Sequence, residues 1–148
     1  MLIVRNGDLF KNVSEPCLIA HGCNAQGKMR SGFAKTLRRL YPKAHLAYLK
    51  AYHEDGLSLG DVIFCNLQKV HIANVITQEF YGHDKACTYV DYDAVEKGLL
   101  RTKQYAHVNR LPIVLPFIGA GLANGDREVL MRIFNNVLHD VQATLWLN

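Results

Sequence analysis

"PFIGAGLANGD", residues Pro116 to Asp126, packs Gly119, Gly121 and Gly125 into seven positions. A β-rich apolar run, Ile113–Ile118, precedes these glycines. After them comes an amphipathic stripe of Val129, Leu130, Ile133, Phe134, Val137 and Leu138. The order is strand, glycine loop, helix. An earlier stretch, "HGCNAQGKMRSGF" (His21–Phe33), has the same order, since it follows the run Cys17–His21 and leads into a helix. Glycine lets a backbone take positive φ and approach a ligand closely. A helix start offers unpaired N–H groups and a partial positive charge. Two such loops side by side suit a diphosphate held from both flanks.

The rest of the chain continues the alternation. Leu2–Arg5, Val62–Leu67, Ile72–Thr77 and Ala143–Leu147 read as further strands. Phe33, Leu37, Leu40 and Tyr41 share a helical face closed by Pro42; a helix from Lys43 to Glu54 follows, and Tyr92, Val95 and Leu99 mark a central one. Strands alternating with helices predict an α/β layered fold around a mostly parallel sheet of about six strands. Val62–Leu67 and Ile72–Thr77 are too close for a crossover helix, so they should pair antiparallel and make the sheet mixed. Residues 1–148 suffice for one domain. Ligands of open α/β sheets sit at the carboxyl ends of strands, where both glycine loops lie.

Other chemistries find little support. Neither loop holds G-K-S or G-K-T, and the glycine spacing G-x-G-x-x-x-G is not the dinucleotide fingerprint. Ser31 is not in a G-x-S-x-G elbow. Cys23 and Arg30 are spaced C-x6-R, one residue too long for a cysteine phosphatase loop, so Cys23 reads as a small buried residue. No histidine pair has H-x-x-x-H spacing, and Cys17, Cys23, Cys65 and Cys87 form no C-x-x-C, so no metal or cofactor is expected. The thiols read as free, which suits a reducing cytoplasm. No long apolar run suggests a membrane span or secretion signal.

Charge is unevenly placed. Between Glu15 and Glu54 there is no acid, but Lys28, Arg30, Lys35, Arg38, Arg39, Lys43 and Lys50 contribute +7. With a net charge of +4, the rest of the chain carries −3. Such a zone suits an anionic partner, and equally a solvated helix face.

The two loops, with "NGDLF" (Asn6–Phe10), "RLYPKA" and "NVITQEFYG", resemble the macro domains, a family that binds ADP-ribose on a three-layer α/β/α fold. The likeness runs along nearly the whole chain. It is strongest to the small single-domain branch that includes ADP-ribose-1''-phosphate phosphatases and terminal ADP-ribose hydrolases. The resemblance implies that Asp8 and Leu9 meet the adenine. It implies that Asn24 holds the distal ribose, and that Gly32 and Phe33 face the phosphates from the first loop. Ile118, Gly119, Ala120, Gly121 and Leu122 would do so from the second. His21 stands where the family's N-A-A-N motif has its first asparagine, as in the yeast-type phosphatases, which implies a catalytic role. Asp126 resembles a loop aspartate that some hydrolases use, and equally suits a helix cap. Gln78 stands where those hydrolases place a lysine, so a lysine adduct is not expected.

The resemblance therefore implies a hydrolase that removes the terminal phosphate of ADP-ribose-1''-phosphate. The alternatives are an ADP-ribosyl ester hydrolase acting on modified protein or nucleic acid, and a reader without chemistry. A cytoplasmic monomer is expected.

Overall fold

The computed structural model describes residues 1–148, and the second strand shows why the chain builds three layers. The elements in chain order are β1 (Leu2–Asn6), α1 (Leu9–Asn12), β2 (Cys17–Asn24), α2 (Gly32–Leu40), α3 (Pro42–Glu54) and β3 (Val62–Asn66). They continue with β4 (Val70–Gln78), α4 (Tyr92–Asn109), β5 (Ile113–Pro116), α5 (Arg127–Leu138) and β6 (Ala143–Leu147). Successive β2 side chains alternate between faces. Leu18 and Ala20 join a core with Leu99, Leu130 and Phe134 of α4 and α5. Cys17 and Ile19 join another with Leu9, Leu37 and Ala44 of α1, α2 and α3. Both faces are covered, so nearly every residue of β2 and β4 is buried, the polar His21, His71, Asn74 and Thr77 included.

The sheet order is β1-β6-β5-β2-β4-β3. Every neighbouring pair is parallel except β3 and β4, which are antiparallel as their short connection demands. This is the mixed, mostly parallel six-stranded α/β fold that the alternation predicts. No helix is long and apolar enough to cross a membrane.

Element boundaries differ from expectation in informative places. β2 runs three residues past His21, because Gly22 and Cys23 still pair with Val75 and Ile76 of β4. The first glycine loop therefore starts after Asn24, and His21 lies within the sheet. β5 stops at Pro116, where Ile118 N–H turns back to the Pro116 carbonyl at 2.8 Å. The short helix α1 was not legible, having only one buried residue, Leu9.

Candidate functional site

The carboxyl ends of β2 and β5 open into a groove with two lobes. The distal lobe is about 220 Å³ and the proximal lobe about 400 Å³. Gly32, Phe33, Pro116, Phe117 and Gly121 line both, so the lobes meet between the two glycine loops.

Loop 24–32 is organised by one buried amide. Asn24 Nδ2 donates to the Lys28 carbonyl at 2.8 Å, and its Oδ1 accepts from Gln26 N–H at 2.9 Å. From α3, the Tyr48 hydroxyl reaches the Asn24 carbonyl oxygen at 2.5 Å and Oδ1 at 3.0 Å. The loop ends at Gly32, whose φ of 61° favours glycine and whose missing Cβ would face open space. The N–H groups of Gly32, Phe33 and Ala34 open α2 without partners in the chain.

Loop 117–125 is organised by close packing. A Cβ at Gly125 would lie 2.5 Å from the Gly119 carbonyl oxygen, and one at Gly119 would lie 2.8 Å from Val90. Those two glycines shape the turn, while Gly121 faces open space. The N–H groups of Gly119, Gly121 and Leu122 have no partner in the chain and border the groove. Asn124, with φ of 59°, clasps the loop to the segment beyond β4 by donating to the carbonyls of Asp84 and Cys87.

The lobes differ chemically. Phe10 and Phe33 stack in the proximal lobe with centroids 4.5 Å apart, and the Arg127 guanidinium lies 4.4 Å over Phe117. Asp8 Oδ1 caps α1 through Phe10 N–H at 2.9 Å. Leu9 is buried and borders the lobe. The distal lobe carries Lys28, Arg30, His83 and Tyr81, and no Asp or Glu lines it. All ten residues assigned to binding from the sequence line the groove: Asp8, Leu9, Ala120, Asn24, Gly32, Phe33, Ile118, Gly119, Gly121 and Leu122.

The two expected catalytic residues do not join them. His21 is fully buried, in register with Asn74 on the α2–α3 face of the sheet. Asn74 Nδ2 donates to the carbonyls of Ala44 and Ile63, so its Oδ1 is the acceptor and His21 Nε2–H donates to it at 2.6 Å. Burial lowers the His21 pKa to about 4, against a smaller opposing effect of the Asn74 hydrogen bond. A neutral imidazole locked in the core is a structural donor, which corrects the catalytic expectation. Asp126 is the N-cap of α5, accepting from Glu128 and Val129 N–H at 2.9 and 3.2 Å, and it lines neither lobe. Its cap reading fits; the geometry gives it no place beside a substrate. Cys23 touches the distal lobe's floor, but burial pushes its thiol pKa up, away from a nucleophilic thiolate.

Sequence reasoning missed Tyr81, His83 and Arg127 as groove residues. Tyr81 and His83 flank a lone Gly82 and Arg127 only opens a helix, so no motif marked them, and the fold brings them to the groove. Lys28 and Arg30 were visible as charge alone.

No protein-family model matches the chain. It is 28% identical over 137 residues to a 17.5 kDa protein from the tk–vs intergenic region of Enterobacteria phage T4, covering 87% of this chain and 84% of that protein. A Bacteroides thetaiotaomicron protein of unknown function superposes with a TM-score of 0.89 and 27% identity, covering 100% of this chain and 98% of that one. A macrodomain protein from Streptomyces coelicolor gives 0.81 at 25% identity, with 99% and 98% covered. Thermosipho africanus DarTG, solved in complex with ADP-ribose, gives 0.81 at 13% identity, with 99% of this chain and 42% of that chain covered. The fold is that of a small macro domain.

Proposed function

We propose that this macro domain binds ADP-ribose along the groove and hydrolyses a bond at the distal ribose. The observation that carries the reading is the row of unpartnered N–H groups, from Gly32, Phe33 and Ala34 and from Gly119, Gly121 and Leu122, along the groove. Such donors suit a diphosphate. The adenine then lies in the proximal lobe by Phe10 and the uncapped oxygen of Asp8. The distal ribose lies by Gly22, Asn24 and Leu122. The Asn24 oxygen is already used, so what it offers a sugar is its remaining amide hydrogen. The ADP-ribose in the DarTG structure supports this choice of ligand.

The conjugate we favour is a phosphate on the distal ribose, as in ADP-ribose-1''-phosphate. The support is a distal lobe with Lys28, Arg30 and His83 and no carboxylate to repel an anion. Water attacks phosphorus, the bond from phosphorus to the ribosyl oxygen breaks, and that oxygen takes a proton. ADP-ribose and inorganic phosphate leave. Lys28 and Arg30 offset charge on the transferring group. His83 supplies the imidazole that His21 cannot, as proton donor to the leaving oxygen.

Calorimetry with ADP-ribose and phosphate release from ADP-ribose-1''-phosphate test the reading. Binding with turnover that falls at least tenfold in Arg30→Ala and His83→Ala is expected. Turnover unchanged in both variants would remove their roles. Tight binding without product from any phosphate or ester conjugate would make the protein a reader.

A further inference from the structure

Asn24 stands where the sheet stops being regular. β2 and β4 pair residue for residue from Cys17 with Val70 to Cys23 with Ile76; the register then shifts, so that Asn24 pairs with Gln78 and Thr77 is skipped. An irregularity of this kind re-aims a side chain. The direction of the Asn24 amide is then set by its hydrogen bonds. Three of its four contacts come from the following loop: Nδ2 donates to the Lys28 carbonyl at 2.8 Å, and Oδ1 accepts from Gln26 N–H at 2.9 Å and from Lys28 N–H at 3.4 Å. Only the fourth, from the Tyr48 hydroxyl, comes from another element, α3.

That helix is itself fixed to the sheet. Ala44, Tyr48 and Tyr52 recur one turn apart and share a face. The Ala44 carbonyl accepts from Asn74 Nδ2 of β4 at 3.2 Å, beside the buried bond from His21 to Asn74. One turn on, Tyr48 is fully buried and packs with Cys23, Ala25, Met29 and Ile76. Its hydroxyl lies 2.5 Å from the Asn24 carbonyl oxygen and 3.0 Å from Oδ1. Burial pushes the phenol pKa above its ordinary range, so the group stays a donor at neutral pH. A further turn on, the Tyr52 ring fills the space under Gly27, where a Cβ would lie 2.8 Å from it. The start of loop 24–32 is therefore seated on two tyrosines of a helix pinned to the central sheet.

We infer that Tyr48 is the positioning residue of the distal subsite: it aims the remaining amide hydrogen of Asn24 into the distal lobe, and so supplies the preference for a ligand with a distal ribose over one that ends at the diphosphate. The identity of the ligand rests on the function proposed above; the anchoring of Asn24 by Tyr48 does not.

Calorimetry of Tyr48→Phe with two ligands tests this, since ADP carries the adenosine and the diphosphate but no distal ribose. The phenyl ring keeps the packing and removes the hydroxyl. The variant should bind ADP-ribose about fivefold more weakly, as loss of one hydrogen bond implies, and ADP within about twofold of the parent. In an Asn24→Ala background, adding Tyr48→Phe should cost no further ADP-ribose affinity, because the hydroxyl acts through the amide. Equal losses for both ligands would make Tyr48 a packing residue. No loss for either would leave Asn24 positioned by its own loop. Each of these overturns the proposal, as does a further loss in the double variant. The Asn24 side-chain amide, followed by NMR without ligand, gives an independent reading. Its hydrogen on the Lys28 carbonyl should exchange with water at least about tenfold faster in Tyr48→Phe than in the parent, and unchanged exchange overturns the proposal. A parent that binds neither ligand sinks the proposed function, and the amide exchange alone then decides whether Tyr48 holds Asn24.

Discussion

Loop 24–32 is held by one buried side chain, whereas loop 117–125 is held by the absence of side chains. In the first, the Asn24 amide gathers the Lys28 carbonyl, the Gln26 N–H and the Tyr48 hydroxyl. In the second, Gly119 and Gly125 close on each other and on Val90 and Leu130. Each loop turns one glycine to the groove, Gly32 and Gly121, with free N–H groups beside it. A glycine-rich motif is therefore not one function. In the second loop, two glycines build the turn and the third leaves room for a ligand.

The sharpest break in this comparison is Gly121→Glu. The added side chain enters open space, so the free energy of unfolding should stay within about 0.5 kcal/mol of the parent. Its carboxylate would meet the diphosphate, and ADP-ribose affinity should fall over about 100-fold, roughly 3 kcal/mol, in calorimetry. Retained affinity would remove the second loop from the site.

Acid should act through the strand that carries the first loop. The His21 pKa is about 4 in the fold and 6.5 ordinarily. The unfolded chain therefore binds the proton first, and stability present above pH 6.5 is lost as pH falls toward 4. The loss approaches about 3 kcal/mol at the lower end. Urea unfolding at stepped pH checks the sign, and His21→Asn should flatten that part of the profile. A parent profile that is flat over the window would refute the buried neutral imidazole.

Gly125→Ala and Asn24→Ala test the two ways of holding a loop. The alanine methyl meets a backbone oxygen that cannot swing aside, so Gly125→Ala should cost about 2–3 kcal/mol of stability and weaken ADP-ribose binding with it. Asn24→Ala leaves the Lys28 carbonyl and Gln26 N–H to find water and should cost about 2 kcal/mol. If only the asparagine matters to unfolding, the second loop does not depend on close glycine packing.

Asp126→Ala should have the smallest effect. Loss of the α5 cap costs about 1 kcal/mol in thermal or chemical unfolding. Turnover of ADP-ribose-1''-phosphate should be unchanged. A hundredfold fall in turnover with unaltered stability would return Asp126 to the chemistry.

Hydrophobic period, read along the chain, was enough for the layers, the mixed sheet and the place of both glycine loops, because burial on both faces leaves a strong local signature in β2 and β4. The residues expected to bind came instead from the resemblance to the macro domains, which is carried by motifs at strand ends and in glycine loops, and these line the groove. Tertiary structure alone decided which polar groups meet solvent. One more pair of β2 residues aligned with β4 carried His21 into the core, and the α5 turn committed Asp126 to backbone N–H groups. Depth of burial and the partner across the sheet arise from register between distant segments, and no local pattern encodes them. For the same reason Tyr81 and His83 came to line the distal lobe with Lys28 and Arg30 only once the chain had folded.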